Sequence, residues 1–246
     1  MEINRARFYS IADAAAVDGH ERFNIGTYKE KQLHIILKKY FEDDPAFHEV
    51  PTNGFIADIR RGEEIIEIET SGFSGLKPKL GAYLPEYRVT LVYPLAGKKT
   101  VSWIDPGTRE ISPPKRSTKK EGAYDLLFEM VRILPYVTEK RLSVLGPVFE
   151  MEEYRLKDGW GRDGKRGSHR YERIPVDLCG MIELTTDDDY RRHIPESLPE
   201  TFCAKEFAAE AKIGEDLARP AIRVLETRGV LRNLGREGRS IRYARA

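Results

Sequence analysis

Cysteine is nearly absent: Cys179 and Cys203 are the only two among 246 residues. That excludes the disulfide framework on which small exported domains depend, and both read as reduced, packed thiols. Long apolar runs are missing as well, and none approaches the ~20 residues that a membrane-spanning helix needs. The opening stretch MEINRARFYSIADAAAVDG has no continuous apolar core, so a cytoplasmic protein without membrane attachment is expected. Histidines and cysteines at zinc-ligand spacing, a serine nucleophile elbow and a phosphate-cradling glycine loop are also lacking. Nor does one sign of charge prevail: 41 Lys and Arg face 40 Asp and Glu, a formal net charge of +1.

What is present is an ordinary globular composition, 40% hydrophobic and 33% charged, enough for one large domain with a small appendage. Charge is segregated along the chain. Acidic residues gather at Glu42 to Asp44, Glu63 to Glu69 and Asp187 to Asp189, basic ones at Lys115 to Lys120, Arg155 to Arg173 and Arg219 to Arg245. Such blocks matter more for partners than the near-zero sum.

Periodicity organises the first two thirds of the chain. Leu33, Ile36, Leu37, Tyr40 and Phe41 recur at helical spacing within Tyr28 to Phe41, and Glu30 falls at the edge of that apolar face. Phe47–Val50, Phe55–Ile59 and Glu64–Thr70 read as short strands joined by Asn53-Gly54 and Arg61-Gly62 turns, an antiparallel meander. A short helix is expected at Leu76–Leu84. Arg88–Leu95 follows as a buried strand, with Thr100–Ile104 as its hairpin partner. A covering helix spans Tyr124 to Leu134, another strand Leu142 to Tyr154, and a glycine-broken basic loop 155–173. From about 195 onward the order is helix Lys205–Ala211, turn Lys212-Ile213-Gly214, helix to Arg228, and two strands around Gly235 to Gly238. That order resembles a winged helix-turn-helix.

The acids in strands invite a chemical reading. Asp58 sits inside FIADI, and Glu67 and Glu69 inside EIIEIET, although carboxylates are poor strand formers and costly to bury alone. Alternation puts Glu67 and Glu69 on one face. With Asp58 on the same side and Glu30 behind it, hard oxygen ligands would converge on Mg²⁺ or Mn²⁺. The same pattern also fits an edge strand whose carboxylates are simply solvated.

The succession of a helix with Glu30, a strand with Asp58, a strand with Glu67-Ile68-Glu69, a helix and a buried strand resembles the PD-(D/E)XK nuclease superfamily over roughly residues 26–95. The resemblance implies a restriction-endonuclease-like α/β domain over 1–194, its core at about 26–154, with a mixed central sheet flanked by helices. A winged helix-turn-helix over 195–246 completes the chain. It implies Asp58 and Glu67 as ligands of Mg²⁺ or Mn²⁺, which activates water against a phosphodiester. Glu30, Asp58, Glu67, Glu69 and Lys79 form the implied catalytic set. Glu69 departs from the pattern by standing where the superfamily has lysine; some members carry Glu or Gln there and others bring the lysine from the next helix, where Lys79 is preferred over Lys77. IGTYKEKQLH and DGWGRDGKRGSHRYERIP are also similar to segments of a group of uncharacterised bacterial proteins.

DNA is the expected partner. Arg219, Arg223, Arg236 and Arg239 in the C-terminal segment suit duplex phosphates. Arg162, Lys165, Arg166 and Arg170, interleaved with Trp160, His169 and Tyr171, suit single-stranded or distorted DNA. A winged helix also serves dimerisation, and the basic loop also fits a bare surface segment. The function expected is a metal-dependent DNA endonuclease, dimeric if both strands are to be cut. The alternative is a non-catalytic DNA-binding or regulatory protein on the same fold.

Overall fold

The computed structural model describes residues 3–18, 32–160 and 166–246, a mixed α/β fold with a central sheet flanked by helices. Helices α1 (Arg5–Asp18) and α2 (Gln32–Phe41) open the chain. Leu33, Ile36, Leu37 and Tyr40 are the buried apolar residues of α2, as their spacing predicts. Asp44 caps a 3₁₀ turn at Pro45–Phe47 by accepting the Ala46 N–H, and the chain enters β1 (His48–Thr52). Strands β2 (Phe55–Arg61) and β3 (Glu64–Ile68) follow through turns in which Asn53, Gly54 and Gly62 have φ of 47°, 84° and 57°, the left-handed values that asparagine and glycine tolerate. Next come α3 (Lys77–Tyr83), β4 (Arg88–Val92), β5 (Leu95–Ile104), β6 (Lys115–Arg116) and α4 (Ala123–Met130). The rest is β7 (Leu142–Trp160), β8 (Arg166–Leu184), α5 (Asp187–Arg191), β9 (Thr201–Phe202), α6 (Ala204–Glu210), α7 (Glu215–Thr227), β10 (Leu231–Glu237) and β11 (Ser240–Arg245).

Two compact units share these elements. One comprises Met1–His48, Pro94–Glu121 and Pro147–Met181, where β5 runs parallel to β7, β6 lies antiparallel on β5, and β8 pairs with β7. The other comprises Glu49–Tyr93, Gly122–Gly146 and Ile182–Ala246. In it β2 is antiparallel to β3, β3 parallel to β4, and β4 parallel to the first residues of β7.

Three expectations need correcting. Thr100–Ile104 is not the hairpin partner of Arg88–Leu95: β3 and β7 occupy the two edges of β4, as an almost wholly apolar strand requires. The basic stretch 155–173 is largely strand, with β7 reaching Trp160 and β8 starting at Arg166. The helix expected over Tyr124 to Leu134 ends at Met130 and tightens into a 3₁₀ segment, Val131–Tyr136, where Pro135 has no N–H to continue it.

The C-terminal segment folds as its pattern predicts. Lys212 takes φ of 55° in the turn between α6 and α7, and Ala218, Ala221, Ile222 and Leu225 bury one stripe of α7. Pro220 lies inside α7, where it has no N–H to give to the preceding turn. β10 and β11 form an antiparallel hairpin with a bulge between Asn233 and Gly235, and β9 adds a third strand on β11. Helix α7 packs on α4 and α6. Arg228 ties this packing together: its guanidinium donates to Asp187 Oδ1 (2.8 Å), Val137 O (2.8 Å) and Thr185 O (3.1 Å) and covers the Tyr190 ring. Arg228→Ala leaves the part-buried Val137 and Thr185 carbonyls without this donor and is expected to cost about 2–4 kcal/mol in urea unfolding, with little recovery in Arg228→Lys, which lacks the planar fork. Unchanged stability in the alanine variant would remove this arginine from the packing account. No helix among the described residues is long and apolar enough to cross a membrane.

Candidate active site

The site grows from the end of the β2–β3 ladder. Arg61 pairs with Glu64, Arg60 with Ile65 and Ile59 with Ile66, so Asp58 and Glu67 both face the opposite side from the Ile59–Ile66 pair. Asp58 then takes over from the ladder: its Oδ2 accepts the Ile68 N–H at 2.7 Å. On its other edge β3 is bound to β4, with Glu67 opposite Leu91 and the Glu69 N–H donating to Val92 O (2.9 Å). Glu67 is thereby held in the body of the sheet with only 1% of its surface exposed.

Helix α3 supplies the rest. Pro78 in its first turn fixes the helix start, and Leu80 and Tyr83 are buried. Lys79 and Tyr83 lie one turn apart on one face. Lys79 Nζ donates to Glu67 Oε2 at 2.7 Å and to Ile56 O at 3.0 Å, which ties the helix to both strands. Lys77 is exposed. The Asn53-Gly54 turn is fastened to the same helix, because Asn53 Nδ2 donates to Ala82 O (2.9 Å) and Glu86 Oε1 (3.2 Å). Pro51 to Ile56 and Lys79 line an open groove of about 640 Å³, so the lysine has access to solvent and to a ligand.

Electrostatics set this cluster apart. Burial, and then the charge of Asp58, push the Glu67 carboxyl from 4.5 up to about 7, against the pull of Lys79. Burial by itself would lower Lys79, but the bond and charge of Glu67 hold the ammonium above its ordinary range. The Tyr83 hydroxyl is raised first by burial and then by the charges of Glu67 and Asp58. Two buried polar atoms here have no hydrogen-bond partner, Glu67 Oε1 and the Tyr83 hydroxyl. Orphaned groups of this kind are rare in a folded core and point to a water, ion or ligand as partner.

Of the residues singled out from the sequence, Asp58, Glu67 and Lys79 are brought together. Glu69 is close enough to act on the charge of both Glu67 and Lys79. Glu30, Arg162 and Lys165 lie outside the described residues, as does the side chain of Arg166. Arg170 Nε stands 3.6 Å from the buried Glu153. In the C-terminal segment Arg219, Arg223, Arg236 and Arg239 are exposed, Arg219 paired with Glu215. Arg242 and Arg245 are engaged within the protein, Arg242 by Glu206 and Glu237 and Arg245 by backbone carbonyls at 195–198. Sequence reasoning missed Tyr83, although its place four residues after Lys79 was a usable signal.

These features define a mixed α/β protein with a buried acid–lysine–tyrosine cluster opening on a groove. The chain belongs to the family described as Domain of unknown function (DUF8091), which it matches over residues 31–185, a range that includes the whole cluster. It is also similar to an "Uncharacterized protein" of Treponema pallidum (strain Nichols), 26% identical over 228 residues, covering 89% of this chain and 86% of that protein. No solved structure matches it.

Proposed function

We propose that the protein is a metal-dependent deoxyribonuclease with a restriction-endonuclease-like core, Asp58 and Glu67 being the ligands of Mg²⁺ or Mn²⁺. The contact of Lys79 Nζ with Glu67 Oε2 at 2.7 Å, beside the orphaned Oε1, carries the reading. It supplies from α3 the cation that Glu69 cannot provide. Among the described residues no three His, Cys, Asp or Glu converge on one point. Mg²⁺ does not require that, since one or two carboxylates, several waters and the substrate phosphate complete its shell.

Glu67 Oε1, buried without a partner, is a donor of the right hardness, and Asp58 lies on the same face. Bound there, the ion would lower the pKa of a water and offset charge on the leaving oxygen. Lys79, fixed by Ile56 O and Glu67, is preorganised to balance negative charge growing on the phosphate and to orient the attacking water. Tyr83 offers its hydroxyl as a further donor. In this reading Arg219 and Arg223 on the exposed side of α7, with Arg236 and Arg239 on the hairpin, would be the phosphate contacts of a winged helix. Cutting both strands calls for two sites, so pairing of two copies belongs to this reading.

The second reading is a DNA-binding protein without catalysis. It is favoured by the internal bonds that already hold Asp58 Oδ2 and Glu67 Oε2. Purified protein incubated with plasmid, branched and single-stranded DNA separates the two. Cleavage is expected only with Mg²⁺ or Mn²⁺, to stop with chelator, and to fall at least about 100-fold in Asp58→Ala and Glu67→Ala. Cleavage that survives in both variants sinks the nuclease reading, and binding without cleavage under every condition favours the second.

A further inference from the structure

The unit built on β5, β7 and β8 holds a second cluster of buried charge, remote in the sequence from the acids of β2 and β3. Glu153, 1% exposed, accepts Lys99 Nζ on Oε2 (3.0 Å) and Arg155 Nη1 on Oε1 (2.9 Å). Arg170 Nε stands 3.6 Å and Arg173 Nε 3.5 Å from Oε2. Glu121 Oε1 accepts Arg173 Nη2 (3.4 Å), while its Oε2 accepts the Ala96 N–H (3.0 Å). Among the described residues these contacts set Lys99, Arg155, Arg170 and Arg173 about Glu153 and Glu121, with Glu172 Oε1 accepting the Arg173 backbone N–H (2.9 Å).

Arg173 is the member that the cluster does not satisfy. It is 4% exposed, yet its Nε and Nη1 are buried with no hydrogen-bond partner. The Nε contact with Glu153 is an ion pair without hydrogen-bond geometry, on a carboxylate that also accepts from Lys99 and Arg155. Leaving charged donors unpaired in a protein interior is expensive. A water could accept from one donor, but it brings no charge to meet the guanidinium. An anion does both, and one with several acceptor oxygens suits guanidinium donors best. Lys99, with 10% of its side chain exposed, closes one side, while Arg155 and Arg170, at 33% and 38%, leave the cluster open toward solvent.

We infer that Arg173, with Lys99, Arg155 and Arg170 around it, forms a binding site for a phosphate-type oxyanion, either free phosphate or the phosphodiester of a nucleic acid. The site is independent of the acids proposed for catalysis, so it stands or falls separately from the nuclease reading. It also gives the basic stretch 155–173 a definite chemistry, in which Arg173 is the anchor.

The test titrates the full chain with inorganic phosphate at constant ionic strength, chloride making up the balance, and follows binding by calorimetry and by the Nε–Hε resonance of Arg173 assigned through bonds. Saturable binding of about one phosphate is expected, with movement of that resonance. Arg173→Lys, checked for folding by circular dichroism, is expected to weaken binding about tenfold, the effect of losing one charged hydrogen bond. Arg170→Gln, at a more exposed position, keeps the question open to variants should Arg173→Lys not fold, and is expected to weaken binding about threefold. An oligonucleotide without terminal phosphate that competes identifies the phosphodiester as ligand, and one that does not identifies free phosphate. The inference is overturned if phosphate does no more than chloride, if the Arg173 resonance stays still while phosphate binds, or if Arg173→Lys folds and binds unchanged.

Discussion

Alanine in place of Glu153 is expected to cost about 3–5 kcal/mol, because Lys99, Arg155, Arg170 and Arg173 would then face one another with their shared carboxylate gone. The titration of Glu153 supports a figure of that size. Burial alone would raise its pKa, but Lys99 first, then Arg170 and Arg173, draw it from 4.5 down to about 2. A carboxyl with a lowered folded pKa contributes stability that is complete above its unfolded value and disappears as pH falls through the folded one. Glu153 therefore contributes roughly 3 kcal/mol above pH ~4.5, lost between there and pH ~2. Denaturant unfolding at pH 7 and pH 2.5 checks both halves: Glu153→Ala is expected to be much weaker than wild type at pH 7, with the gap narrowing at pH 2.5. A variant equally deficient at both values would show that volume, and not charge, matters at this position.

The second large effect is expected at Lys79. Lys79→Met removes the ammonium that meets Glu67, and on the proposed nuclease reading cleavage is expected to fall about 10²–10⁴-fold, the usual span for loss of a group that assists the attacking water. Stability gives a separate reading of the same change. Glu67 has a raised folded pKa, so the stability of its protonated form is complete below pH 4.5 and is lost as pH rises through about 7. Without Lys79 the ionised form has no cation beside it, and the loss on raising the pH grows. The deficit of Lys79→Met against wild type is accordingly expected to be small at pH 5 and larger at pH 8. A deficit independent of pH would break the link between the two side chains.

Local patterns in the sequence were enough to read the C-terminal helices. The stripe Ala218, Ala221, Ile222 and Leu225, bounded by a turn at Lys212 to Gly214, determines α7 almost by itself. The shared face of Asp58 and Glu67 was likewise legible, since alternation along each strand needs no knowledge of the rest of the chain. Strand order was not. The neighbour of β4 comes from β7, about fifty residues further on, and a buried apolar strand does not announce which distant strand will pair with it. The stretch 155–173 misled because Gly159 and Gly167 suggested a loop, yet both hold positive φ near the ends of strands whose flanking arginines, Arg155, Arg170 and Arg173, are drawn to Glu153. Tyr83 was overlooked because an aromatic at helical spacing ordinarily means core; its place one turn after Lys79 was the signal in the sequence, and its orphaned hydroxyl sets it apart in the structure.

The division of the chain into two units has a genetic consequence. The polypeptide passes from one to the other five times, at 48/49, 93/94, 121/122, 146/147 and 181/182, the fourth crossing falling within β7. Neither unit is therefore encoded by one uninterrupted stretch of gene. A single recombination event cannot exchange one and spare the other, and a breakpoint anywhere between codons 49 and 181 divides both. The family match over residues 31–185 takes in all five crossings.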